Sequence, residues 1–105
     1  MSSPSLPAVR KVSKRELRSI WNDPTFQSTL LRKTTQRVDV YEALAPPDSG
    51  QEDGTLSCVY DLMDNPNERL LGTFHMYRRP DGSIGASGKA DPIFLLVDGV
   101  PMCDP

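Results

Sequence analysis

Apolar and polar positions change their period once along this chain. Up to about residue 45 the apolar residues recur at three- and four-residue steps; from Leu56 onward they alternate. In the first part, Ser13-Lys14-Arg15-Glu16 has the form of a capping box, in which the Ser13 hydroxyl accepts from the Glu16 backbone N–H and the Glu16 carboxylate reaches back. Leu17, Ile20 and Trp21 follow as a short apolar face, which predicts a helix over about 14–22. Asp23-Pro24 is a second start signal, because aspartate can cap and proline suits the first helical position. Phe26, Leu30, Val38, Tyr41 and Leu44 or Ala45 keep near-helical spacing, with Arg32, Lys33, Gln36, Arg37 and Glu42 on the other side. Thr34 and Thr35 interrupt the stripe, and Pro46-Pro47 ends it, so a second helix is predicted over 24–44. Trp21, Phe26 and Tyr41 then fall where core residues of a helix pair belong, rather than on a base-stacking surface.

The second part reads as strands. Leu56, Cys58, Tyr60 and Leu62 alternate with Ser57, Val59 and Asp61. A turn at Asp64-Asn65-Pro66-Asn67 leads to Leu70–Arg78, with Leu70, Phe74 and Met76 on one face and Leu71, Thr73, His75 and Tyr77 on the other. Pro80-Asp81-Gly82 is a strong turn, from which Ser83 to Ser87 returns as a weak strand. Ile93-Phe94-Leu95-Leu96-Val97 is the most apolar run and is expected to be the buried central strand. Asp98-Gly99 signals a tight hairpin into Val100-Pro101-Met102, a short edge segment. The expected fold is α+β: two N-terminal helices packed on a small antiparallel sheet of four to five short strands.

At 105 residues the chain fits one domain. Its 10 prolines and its Ser/Pro-rich start predict a disordered tail over 1–12, a single domain over 13–105 and an acidic loop over 46–54. No stretch reaches the roughly 20 apolar residues that span a bilayer, and the start lacks the basic-then-apolar pattern of a secretory signal. Cys58 and Cys103 are then expected as free thiols in a reducing, cytoplasmic setting. No His/Cys cluster has zinc-ligand spacing, so neither metal nor other cofactor is expected.

The net charge of −2 conceals a partition. Met1 to Val38 carries eight basic residues against two acids, while Asp39 to Glu68 carries eight acids and no base. The basic third invites an anionic partner, or attraction to the acidic third within the fold. Arg10, Lys11, Lys14, Arg15 and Arg18 recur so that much of the run shares one helix face, the pattern of a phosphate-backbone contact or of a solvated helix.

The segment Arg78–Pro92 holds Gly82, Gly85 and Gly88, followed by Lys89. It fails as a phosphate-binding P-loop: five residues separate Gly82 from Gly88, and Ala90 stands where a hydroxyl is needed. Hairpin glycines are the plain reading. The sharper one is an anion nest at Ser83, Ser87, Gly88 and Lys89 built from successive backbone N–H groups. His75, the only histidine, lies near Arg78 and Arg79 in sequence. A metal-free ribonuclease would use His75 as general acid or base, Arg78 or Arg79 against the phosphorane, and Asp91 or Ser87 to orient the imidazole, with Tyr77 stacking or donating. Three functional expectations follow. The first is a small soluble intracellular interaction module without catalysis of its own, which binds a protein partner. The second is a toxin-like ribonuclease at His75, and the third a nucleic-acid-binding accessory protein using the basic helix.

Overall fold

The computed structural model describes residues 8–64, 68–85 and 88–104. The elements run β1 (Arg10–Lys11), α1 (Lys14–Trp21), α2 (Pro24–Lys33), β2 (Gln36–Leu44), β3 (Leu56–Asp64), β4 (Arg69–Arg78), β5 (Asp91–Val97) and β6 (Val100–Cys103). The class is α+β, as expected. The sheet, however, has six strands among the described residues, in the order β1-β6-β5-β4-β3-β2, and it is mixed because β1 runs parallel to β6. The helices also follow a first strand rather than opening the chain.

Local signals set the helix starts. Ser13 accepts from the Glu16 N–H at 3.1 Å, while the Glu16 carboxylate pairs with Arg10 at 4.0 Å. Asp23 accepts from the N–H groups of Thr25 and Phe26, with Pro24 at the first helical position. The second helix stops well short of the expected Leu44, at Lys33. Thr34 turns to extended backbone and its hydroxyl donates to the Leu30 carbonyl, which ends the helix. Residues 36–44 are instead an edge strand paired with β3, and Tyr41 is 55% exposed rather than part of a helical core.

Only one face of the sheet is covered. Leu17 from α1 and Leu30 from α2 join Leu62, Leu71, Phe74, Leu95 and Met102 in the core. Trp21 and Tyr60 flank the Phe74 ring at centroid distances of 4.6 and 5.5 Å. Leu71 reaches this core because the β3–β4 register shifts at Leu62/Met63, which removes it from the alternation that put it beside Thr73. The run at Ile93–Val97 lies inside the sheet, yet only Leu95 in it is fully buried, and Ile93 is exposed.

Part of the expected N-terminal tail is built into the fold. Val12 is 5% exposed, belongs to the core, and its N–H donates to the Cys103 carbonyl. β6 is therefore not an edge. Residues 1–7 of that tail and the turn residues Asn65, Pro66 and Asn67 lie outside the described residues. Asp98 and Gly99 both take positive φ, the combination a two-residue hairpin turn needs.

The return strand expected over Ser83–Ser87 is reduced to one bridge, Arg78↔Ile84. Replacing Leu17 with alanine is expected to lower unfolding free energy by about 2–5 kcal/mol in urea titration, against about 1 kcal/mol for Ser13→Ala.

Candidate functional site

The uncovered face is built by strand register. Tyr41, Val59, His75 and Asp91 are successive partners across β2, β3, β4 and β5. Beside that row run Val38, Asp61, Thr73, Phe94 and Cys103, and on its other side Ala43, Ser57 and Tyr77. Side chains alternate across a strand, so these three rows share one face, opposite the Leu62–Phe74–Leu95 core. Helix α1 meets this face only at its Asp91 end, where Arg18 pairs with Asp91 and Lys14 shares a cleft with His75. Val59, His75, Tyr77 and Phe94 are half-buried, and β2 adds the exposed Val38 and Tyr41, while the exposed Val40 is the bulge residue and the exposed Leu44 lies on the opposite face.

His75 sits in the middle of this face. Its Nε2 lies 2.8 Å from the Ser57 hydroxyl, and its ring meets Tyr77 edge-on at 4.7 Å. Burial pulls its pKa below the ordinary 6.5 and Lys14 acts the same way, while the Asp91 carboxylate opposes them. His75 also lines a cleft of about 300 Å³ with Lys14, Arg18, Asp91, Ile93 and Asp104.

The proposed ribonuclease groups divide between the two faces. His75 and Asp91 are register partners, as a base and its orienting acid would be. Arg78 belongs to the other face, in the row with Leu44 and Leu56, where it pairs with Glu42 at 3.1 Å. Arg79 lies beyond the strand end, beside Gln51, Glu52 and Asp81.

Up to Gly85 the glycine segment is a tight turn closed by backbone hydrogen bonds. The Gly82 N–H donates to the Arg79 carbonyl, and Gly82 then takes φ 88, as in a turn followed by a left-handed glycine. The Asp81 carboxylate accepts from both the hydroxyl and the N–H of Ser83, which holds its pKa below the ordinary value. The Gly85 N–H donates to the Tyr77 carbonyl and the Gly88 N–H to that of Gly85. The amides of Gly82, Ser83, Gly85 and Gly88 are thus already engaged within the chain. Gly85 is needed for a close approach, since a Cβ there would stand 3.2 Å from the Tyr77 Cβ and 2.5 Å from Gln51 Oε1. Lys89 is exposed, and Ser87 lies outside the described residues.

The basic run is partly neutralised, though not by the acidic middle of the chain. Arg10 pairs with Glu16, Lys14 with Asp104 at 3.6 Å, and Arg18 with Asp91 at 3.2 Å. Lys11 and Arg15 are exposed. Among the described residues, no group of three His, Cys, Asp or Glu side chains could hold a metal, and no helix is long and apolar enough to cross a membrane. No protein-family model, curated protein or solved structure matches the chain.

Sequence reasoning missed the β2 edge and the Ser57–His75 contact. The contact required the β3–β4 register. The edge had a visible sign, four apolar residues between Val38 and Leu44 that prove exposed, which the helical reading absorbed.

His75 titration has a definite sign. Its folded-state pKa lies below the unfolded value, so the unfolded chain binds the proton first as pH falls. The His75 contribution to stability is complete above about pH 6.5 and is lost as pH falls from there through the folded-state midpoint. NMR titration of the imidazole should give a midpoint below 6.5, moving further down in Asp91→Asn because the opposing carboxylate is gone.

Proposed function

We propose that this protein is a small interaction module, without catalysis of its own, that binds a protein partner through β2 and the uncovered sheet face. The observation that carries this reading is the outer edge of β2, which pairs with no other strand among the described residues. It is nine residues long, and it displays Val40 at 58% exposure and Leu44 at 71%. Sheet edges offer a row of backbone donors and acceptors to another chain, and proteins usually blunt them. Here the adjoining face supplies Val59, Tyr77 and Phe94, so a partner would meet apolar surface beside the edge. The free thiols of Cys58 and Cys103 fit a reducing compartment such as the cytoplasm.

The other two readings draw less support from the geometry. Of the arginines that a ribonuclease was expected to use, Arg78 stands on the face opposite His75 and Arg79 lies beyond the strand end, while Arg18, which shares the His75 cleft, is paired with Asp91. A nucleic-acid surface needs free cations, and Arg10, Lys14 and Arg18 are paired with carboxylates.

A photo-crosslinking amino acid at Tyr41, with the exposed Ser28 of α2 as control, tests the reading in extract of the source cells. Protein adducts from position 41 and none from 28 are expected, weakened by Val40→Lys. Equal adducts from both positions, or none from 41, would contradict it.

A further inference from the structure

The edge of β2 has features that select its occupant. Three of its side chains are charged, Arg37, Asp39 and Glu42, and all lie in rows on the helix-covered face. Val38 and Tyr41 lie on the uncovered face, although they are three residues apart. The cause is the register shift between Asp39 and Tyr41, which leaves Val40 as an extra residue and reverses the alternation beyond it. Any antiparallel chain added at this edge must respect both the faces and the charges.

We infer that the occupant is a second copy of this chain, pairing β2 with β2 across a two-fold axis so that Arg37 lies opposite Glu42 and Val38 opposite Tyr41. This rests on the interaction reading above and names its partner. In this register both pairs match in face, and symmetry supplies each of them twice. The axis passes between Asp39 and Val40, at the bulge.

Neighbouring registers fail on sequence grounds. A slip of one residue either way sets Val38 against Glu42, or Arg37 against Tyr41, joining opposite faces. A slip of two in one direction places Asp39 opposite Glu42 twice, a like-charge repulsion. A slip of two in the other sets Val38 against Asp39 and Arg37 against Val40. The bulge and charges that discourage indiscriminate edge pairing thus leave one register favoured.

Both charged side chains already have partners within the chain, inside the edge. Arg37 is held over the Tyr60 ring at 4.0 Å and pairs with Asp39 at 3.2 Å, while Glu42 is anchored by Arg78. A guanidinium has five donors, so the contact with Asp39 leaves Arg37 able to meet the second copy's Glu42. Glu42 turns from Arg78, two strands inside the edge, to meet the second copy's Arg37. The product is one continuous sheet with the two uncovered faces on the same side.

Sedimentation equilibrium of the full chain, from micromolar to near-millimolar concentration, tests the inference. The wild type should dimerise. Arg37→Glu and Glu42→Arg should each weaken self-association about tenfold or more, while an equimolar mixture of the two should pair. In the mixed pair each reversed residue meets an opposite charge, so recovery cannot come from misfolded variants. Independently of any variant, amide-exchange protection along Gln36–Leu44 should rise with wild-type concentration.

A monomeric wild type, concentration-independent exchange, or a mixture no better than its parts overturns the second-copy inference. If the wild type is monomeric and position 41 still gives specific adducts to a protein of another mass, the binding reading survives it. If such adducts are absent as well, both fall.

Discussion

The docking of α1 onto the sheet is the contact on which the architecture depends. Its eight residues are too few to hold a helix in water by themselves, so Leu17 must be buried for α1 to exist at all. The cluster it joins draws Leu62, Leu71, Phe74, Leu95 and Met102 from β3, β4, β5 and β6, in the second half of the chain. Two short helices cover a limited stretch of a six-stranded sheet. Phe74 carries the core outward through Trp21 and Tyr60, and past that point the strands run on without a helix. The extents of 55 × 28 × 28 Å reflect this geometry. The uncovered face and the open β2 edge are consequences of how little helix the sheet receives.

Charge is managed both by near neighbours and by distant pairs. Arg37 with Asp39 and Arg69 with Asp64 pair within a few residues, and Arg78 meets Glu42 two strands away. The basic N-terminal third reaches Asp91 and Asp104 near the C-terminal end, so the strong charge partition along the sequence is softened in three dimensions. Apart from Arg69–Asp64, whose carboxylate is buried, these pairs are largely exposed, and each exposed one contributes little to stability. Their greater effect is to fix where long side chains point, and on β2 Arg37 lies inward over Tyr60 while Glu42 reaches inward to Arg78.

Features decided within a few residues were legible in the sequence. Ser13, Asp23-Pro24, Pro80-Asp81-Gly82 and Asp98-Gly99 all act where they were expected. β2 was misread for a physical reason. A bulge adds one residue to a strand, so Val38 and Tyr41 share a face at a spacing of three, which imitates a helix. β1 was illegible because its two residues have no period of their own and gain order only from β6. The candidate site was legible in composition alone. His75 stood out as the only histidine, but its placement beside Ser57 and away from Arg78 depended on register and bulges that local patterns do not encode.

The parallel pairing of β1 with β6 bears on synthesis. Arg10 and Lys11 emerge from the ribosome well before their partners Met102 and Cys103 are made. Until those residues have cleared the exit tunnel, Val12 has no carbonyl to bond and Leu17 no complete pocket. The nascent chain can close the β2–β3–β4 meander first, because each of its pairings is local. Completion of the helical layer must wait, and through that interval the apolar side of the meander stands uncovered, the kind of surface through which incomplete folds aggregate.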